Sequence, residues 1–138
     1  MRFYLMDTNV LSELKKQGKA DEKVRRWFAG TPSNNIFLSV LTVGEIRGGI
    51  EKKRLKDPVQ AEHMDRWMRK ALTVFRGHIL PITQDIANCW GTLCPGQRFP
   101  DVDGLIAATA LEHGMIVVTR NVRDFERTGV EFLNPWEY

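Results

Sequence analysis

Residues 3–9 have the sequence FYLMDTN, in which a short apolar run ends at an aspartate. A continuous apolar run of this length predicts a strand that is covered on both faces, as in parallel sheets. Similar runs recur along the chain, separated by amphipathic helical patterns. They lie at 36–40, 78–82, 115–119 and 130–133. This alternation predicts an α/β fold with a mainly parallel central sheet flanked by helices on both faces.

The size and composition of the chain limit the class of protein. Its 138 residues are enough for one well-buried core, so we predict a single domain over residues 1–138. Hydrophobic residues make up 43% and charged residues 27%, which is typical of a globular protein and excludes a disordered one. The apolar runs are far shorter than the roughly 20 residues of a spanning helix, and Asp7 comes too early for a signal peptide. We therefore expect no membrane association and a cytoplasmic location.

Four acidic residues lie where predicted strands end or predicted helices begin. They are Asp7, Glu45, Asp103 and Asp124. Ligands of parallel α/β sheets bind beyond the carboxyl ends of the strands, so we expect these acids to meet at one edge. Carboxylates gathered in one place repel one another unless a cation neutralises them. The sequence therefore predicts a metal site, and oxygen ligands without histidine favour Mg²⁺ or Mn²⁺ over zinc.

Each acid also has a purely structural interpretation. Glu45 lies three residues after Thr42, the spacing of a capping box at a helix start. Asp103 would gain from the dipole of the helix that follows it, and Asp124 could cap a short helix. Asp7 could cap the helix that follows the first strand, although Thr8 or Asn9 could cap it instead. Capping gives no reason for four acids to converge on one edge, so we favour the metal cluster.

Positive charge is concentrated in the middle of the chain. The net charge is +3, whereas residues 45–76 contain nine Lys/Arg and five Asp/Glu. A basic region beside an acidic pocket suits a protein that binds a polyanion and presents one phosphate to a metal. A solvated helix face would give the same pattern, so both interpretations stay open.

Five motifs together resemble the PIN-domain ribonucleases, and within them the VapC and FitB-like toxins of bacterial toxin–antitoxin pairs. The matching segments are MDTNVLSE, LSVLTVGEIRGGIE, DVDGLIAATALEHG, VVTRNVRDF and FLNPWEY. They bracket nearly the whole chain, and their order and spacing are specific, whereas DTN alone would be weak. The resemblance implies a single PIN-like domain with an acidic metal site.

The same resemblance implies roles for individual residues. Asp7, Glu45 and Asp103 match the family's acidic metal-binding positions. The fourth family acid often follows TR or TN directly, where this chain has Asn121 and then Asp124 three residues later. Either Asn121 ligates through its amide oxygen or Asp124 takes its place. The residues expected to orient the carboxylates are Thr8, Asn9, Thr119 and Asn121.

The implied chemistry is hydrolysis of an RNA phosphodiester with one or two Mg²⁺ ions. Either Glu45 or a metal-bound hydroxide would act as the base. The resemblance also implies a homodimer and a small antitoxin that blocks the groove, together forming a larger toxin–antitoxin assembly. Basic side chains would bind the RNA strand outside the pocket. The candidates are Arg47, Lys52, Lys53, Arg54, Arg69 and Lys70.

Two other hypotheses use the same acidic residues. One is a non-catalytic acidic α/β module that binds protein or nucleic acid. The other is a DNA nuclease or a phosphatase that uses the same metal cluster. Substitution of the acids tests the first, and comparison of RNA, DNA and a small phosphate ester as substrates tests the second.

Overall fold

A computed structural model of the protein describes residues 1–93, 95–96 and 101–138. Within these residues, five strands form a sheet whose neighbouring strands are all parallel. The strands are β1 (Tyr4–Met6), β2 (Ile36–Ser39), β3 (Ile79–Leu80), β4 (Ile116–Val118) and β5 (Phe132–Leu133). Their order is β3-β2-β1-β4-β5, which places β1 at the centre. The predicted parallel α/β sheet is confirmed.

Helices connect these strands over most of the described chain. They are α1 (Thr8–Leu14), α2 (Glu22–Gly30), α3 (Val40–Arg54), α4 (Pro58–Val74), α5 (Gln84–Thr92), α6 (Asp101–His113) and α7 (Val122–Glu126). A short 3₁₀ turn, Pro135–Glu137, follows the last strand. None of the helices within the described residues has the length and apolar character needed to cross a bilayer.

Side chains of the central strands alternate between two separate cores. On β1, Met6 packs into a core built with α1 to α4, whereas Leu5 packs into a core built with α6 and α7. On β4, Val118 packs into the first of these cores and Val117 into the second. Helices therefore cover both faces of the sheet, which explains why the strands are apolar without a gap.

Small residues let α6 pack closely against the sheet. Ala107, Ala108 and Ala110 are fully buried. The helix ends at His113 and is followed by Gly114, whose φ of 66° is readily adopted by glycine, and β4 begins two residues later. Because α6 leads into the start of β4, its first turn with Asp103 lies at the opposite edge, where the parallel strands end.

The cap of α1 is one of the alternatives that the sequence left open. Thr8, Asn9 and Asp7 were all candidates, and the capping residue is Asp7. Its Oδ1 accepts a hydrogen bond of 2.8 Å from the backbone N–H of Thr8. The short connection leaves the strand and the helix no room for a separate capping residue, so one carboxylate serves both the cap and the sheet edge.

The caps of α3 and α7 differ from the interpretations offered by the sequence. Strand β2 passes directly into α3, and the Ser39 hydroxyl accepts a hydrogen bond of 3.0 Å from the Leu41 backbone N–H. Thr42 is therefore not the cap, and Glu45 lies in the second turn of the helix. Asp124 lies inside α7 rather than capping it. Capping alone does not account for either acid.

Candidate active site

The carboxyl edge of the sheet carries the four predicted acids. Asp7 directly follows the central strand, and its backbone N–H donates to the Val118 carbonyl at the end of β4 over 2.9 Å. Glu45 lies on α3, which continues from β2. Asp103 and Asp124 lie in the first turns of α6 and α7. Strand ends and helix starts therefore converge here, as the parallel topology requires.

Both carboxylate oxygens of Asp7 are held by protein donors. Its side chain is almost fully buried, and Oδ2 accepts hydrogen bonds from the Thr119 hydroxyl at 2.8 Å and from Asn9 Nδ2 at 3.3 Å. Burial raises the pKa of Asp7, whereas the bonds from Thr119 and Thr8 lower it. The charges of Glu45 and Asp124 raise the pKa further, so both lie close enough to repel Asp7.

A threonine links Glu45 to the Asp7 segment. The Thr8 Oγ1 lies 2.5 Å from Glu45 Oε1 and 3.1 Å from the Oγ1 of buried Thr42. A hydroxyl has one proton, so when Thr8 donates to Glu45 it can still accept from Thr42. This pair of contacts fixes one oxygen of Glu45 relative to Asp7.

The Asp103 carboxyl is repelled by the three other acids. Its pKa is raised to about 6, first by burial and then by the negative charges of Asp7, Asp124 and Glu45. In the described part of the chain, no donor forms a hydrogen bond with its carboxylate. The charges of Asp7, Asp124 and Glu45 thus all act on the Asp103 carboxyl, which is in keeping with the predicted gathering of these acids at one edge of the sheet.

The donor chemistry of this cluster suits a hard divalent cation. Among the residues that the structure describes, no three His, Cys, Asp or Glu side chains already surround a common point as metal ligands do. The acids are near enough to repel one another, and Asp103 lacks a protein donor. A bound Mg²⁺ or Mn²⁺ would offset the repulsion between the carboxylates, and both ions prefer oxygen ligands. The residues present therefore fit such an ion.

Asn121 and Asp124 differ in how they relate to the other acids. The Asn121 residue is exposed and its side chain makes no capping bond, although its backbone N–H donates to the Thr119 hydroxyl over 3.0 Å. Asp124 is half-buried, and its charge raises the pKa of both Asp7 and Asp103. Of these two residues, Asp124 is therefore the one whose charge acts on Asp7 and Asp103.

All three of the arginines that were predicted to contact RNA are bound to protein carboxylates. Arg47 donates two hydrogen bonds of 3.0 and 3.1 Å to Asp65, and Arg54 and Arg69 also contact this acid. Arg47 holds the pKa of Asp65 below its usual value. This network joins α3 to α4. It leaves less of each guanidinium for RNA than the sequence suggested.

The predicted lysines differ from the arginines in this respect. Lys52, Lys53 and Lys70 are exposed and, within residues 1–93, 95–96 and 101–138, form no ion pair. Contact between these side chains and RNA stays a prediction.

Sequence reasoning missed one basic residue beside the cluster. Arg120 follows Thr119 directly, and its guanidinium carbon lies 4.9 Å from the centre of the Trp136 ring. Its backbone N–H donates to Asn9 Oδ1 over 3.2 Å. The signal was a basic residue at a strand end, but only the pairing of β4 with β5 shows that Trp136 lies beside it.

Comparison with known proteins identifies the family. The family model described as "PIN domain" matches residues 4–131. The chain belongs to the PIN-domain family. This PIN domain is 33% identical over 143 residues to "VapC ribonuclease Y4jK" of Sinorhizobium fredii, covering 96% of this chain and 97% of that protein. It is also 33% identical over 138 residues to "Toxin FitB" of Neisseria gonorrhoeae, with coverages of 96% and 97%.

Solved structures agree with the sequence relatives. The crystal structure of FitAcB from Neisseria gonorrhoeae superimposes with a TM-score of 0.88 at 30% identity, covering 99% of this chain and 100% of that one. The structure of FitAB bound to an IR36 DNA fragment gives a TM-score of 0.87 at 31% identity, with coverages of 97% and 96%. The resemblance predicted from the motifs, to the VapC and FitB branch of the PIN family, is confirmed.

The Thr119→Val substitution tests the hydrogen bond that the Thr119 hydroxyl donates to the Asp7 carboxylate. We expect the free energy of unfolding at neutral pH to fall by about 2 kcal/mol, because a buried carboxylate loses a charge-assisted hydrogen bond. The loss should shrink as the pH is lowered, since a protonated Asp7 needs that donor less. Urea unfolding at several pH values measures both effects.

Thr109→Val is the matched control for this substitution. Thr109 is equally buried, but its hydroxyl donates to the Leu105 carbonyl within α6 over 2.7 Å. We expect a smaller and pH-independent change. Equal losses in the two variants would mean that the Thr119 hydroxyl contributes through packing and not through Asp7.

Proposed function

We propose that this PIN domain is a divalent-metal-dependent endoribonuclease and the toxin of a bacterial toxin–antitoxin pair. The observation that carries the proposal is the electrostatic coupling of Asp103 to Asp7, Glu45 and Asp124 at the carboxyl edge of the sheet. A purely structural carboxylate would be expected to have a protein donor, and Asp103 has none among the described residues. The names of the relatives, a VapC ribonuclease and the toxin FitB, support the choice of RNA as substrate.

The four acids would hold Mg²⁺ or Mn²⁺ in this proposal. When bound, such an ion supplies a Lewis acid for the phosphodiester and makes a water molecule more acidic. Thr119 and Asn9 orient the Asp7 carboxylate, and the Thr119 hydrogen bond also lowers its pKa against the effect of burial. Glu45 is exposed, and Thr8 occupies one of its oxygens, so the other oxygen is available to accept a proton from the attacking water.

A small antitoxin is the proposed protein partner. Solved neighbours above 25% identity include FitAB and a toxin–antitoxin complex from Klebsiella pneumoniae, which matches with a TM-score of 0.72 at 28% identity. An antitoxin would silence the nuclease by covering its acidic edge. The homodimer, the larger assembly and the cytoplasmic location stay predictions.

Substrate comparison separates the ribonuclease from the alternative enzymes. The purified chain is incubated with Mg²⁺ and a structured RNA, a single-stranded DNA of matched sequence, or p-nitrophenyl phosphate. We expect cleavage of the RNA, much less of the DNA and none of the ester. Preferred cleavage of DNA or of the ester would overturn the proposal in favour of a DNA nuclease or a phosphatase.

A cellular experiment identifies the RNA that is cut. The chain is expressed alone, and RNA ends are sequenced beside a culture that expresses the Asp103→Asn variant. New ends that appear only with the wild-type chain are the expected result. Equal RNA ends in the two cultures would favour the non-catalytic binding module.

A further inference from the structure

We propose that Arg120, stacked on Trp136, binds a backbone phosphate of the RNA beside the carboxylate cluster. This inference rests on the proposed ribonuclease function and adds a substrate contact to it. The two side chains are called the Arg120–Trp136 pair below. Neither of them was among the RNA contacts predicted from the sequence.

The backbone of Arg120 is fixed next to the acids. The preceding residue, Thr119, donates its hydroxyl proton to Asp7 over 2.8 Å. Arg120 itself donates its backbone N–H to Asn9 Oδ1 over 3.2 Å, and Asn9 also contacts Asp7. The base of the arginine side chain is therefore tied to the same network that orients the Asp7 carboxylate.

The indole that holds the guanidinium is also fixed at this edge. Trp136 lies in the 3₁₀ turn after β5, the neighbour of β4, so the parallel strands bring it to the edge where Arg120 lies. Its backbone N–H donates to Asn134 Oδ1 over 2.9 Å, and its side chain packs against the core built with α1 to α4. These contacts hold the indole in place beneath the guanidinium.

The guanidinium of Arg120 is not neutralised by a carboxylate. In the part of the chain that the structure describes, no carboxylate oxygen lies within 4 Å of it, whereas Arg47, Arg54 and Arg69 are all paired. The backbone of Arg120 adjoins Asn9 and Thr119, which both contact Asp7, whereas its guanidinium lies on the indole ring and not on a carboxylate. Contact with the indole face holds the cation aside and leaves its N–H edge free for another acceptor.

A phosphate of a single RNA strand is the acceptor that suits this arrangement. A strand that brings one phosphate to the acids must carry its next phosphates past repelling carboxylates, so a fixed cation at the rim compensates that repulsion. Guanidinium groups bind phosphate through two parallel hydrogen bonds. Combinations of arginine and aromatic side chains are also common where proteins bind unpaired RNA.

The Arg120→Met variant tests the contact through binding rather than cleavage. Binding of a short fluorescein-labelled single-stranded RNA is measured by anisotropy without divalent metal, over a series of KCl concentrations. We expect affinity at low salt to fall about tenfold through loss of the charge-assisted contact. The slope of log affinity against log salt should fall in magnitude by about 0.7, because one fewer phosphate is neutralised.

Arg76→Met is the matched control for the loss of charge. Arg76 is exposed and lies beside Ile36, the first residue of β2, so it occupies the opposite edge of the sheet. We expect this variant to keep the wild-type salt slope. Trp136→Leu should keep the slope as well, because the charge remains, but should weaken binding about threefold through loss of the stacked support. Thermal melting confirms that each variant is folded.

The outcomes for the contact and for the enzyme can be told apart. If the wild type cleaves RNA and Arg120→Met has the same affinity and salt slope as Arg76→Met, the proposed phosphate contact of Arg120 is wrong. The proposed ribonuclease activity is then still supported. If the wild type binds RNA without cleaving it and only Arg120→Met lowers the slope, the contact is supported and the proposed activity is wrong.

Discussion

The Asp103→Asn variant is expected to lose RNA cleavage by about a thousandfold or more while becoming more stable to heat at neutral pH. Activity falls because the variant loses the carboxylate that lacks a protein donor and that a divalent ion would engage. Stability rises because the wild type keeps a repelled anion there, with a pKa of about 6 instead of the usual 3.8. The full shift corresponds to about 3 kcal/mol, which solvent screening reduces to about 1–2 kcal/mol.

Asp101→Asn is the control for both halves of this expectation. Asp101 is exposed and lies two residues earlier in the same first turn of α6. It should leave the cleavage rate and the melting temperature nearly unchanged. Initial rates on a labelled RNA with Mg²⁺ and metal-free thermal melts give the two measurements. An Asp103→Asn protein that loses stability as well as activity would indicate a structural carboxylate instead of a metal ligand.

The fold could be predicted because strands that are covered on both faces are continuous apolar runs, which are easily recognised in the sequence. The boundaries of helices could not be predicted as well. Ser39 caps α3 although a better-looking capping box begins at Thr42, because the strand passes into the helix without a turn. Val40 and Leu41 continue the apolar run across this junction, so Ser39 is its only mark in the sequence.

Topology explains why the acids of the site could be found and their surroundings could not. Asp7 follows a parallel strand, and Asp103 opens a helix that returns to the start of another, so the topology alone assigns both residues to one edge of the sheet. The pairing of Arg47 with Asp65 depends on how α3 packs against α4, and nothing in either helix alone reveals it. The contact of Arg120 with Trp136 likewise depends on the register of β4 and β5.

Mg²⁺ is expected to raise the melting temperature of the PIN domain by several degrees, with a gain that grows as the pH rises through about 6. Below that pH, a proton on Asp103 competes with the ion. The pKa of Asp103 is raised in the folded state, so this group makes the metal-free protein less stable as the pH rises from about 4 to 6. The full penalty persists above about pH 6, where the bound cation would remove it.

Melting curves with and without Mg²⁺, recorded between about pH 5 and pH 8, measure this coupling. KCl at equal ionic strength is the control, because general screening of surface charges also stabilises a crowded set of acids. The Asp103→Asn variant should gain less from Mg²⁺ and should lose the pH dependence of the gain, whereas Asp101→Asn should behave as the wild type does. An equal gain from Mg²⁺ and from KCl would show that the acids only repel one another and do not share an ion. In that case the loss of cleavage in Asp103→Asn would need a cause other than metal binding, since a cation held by these carboxylates must bind less tightly when one of them is removed.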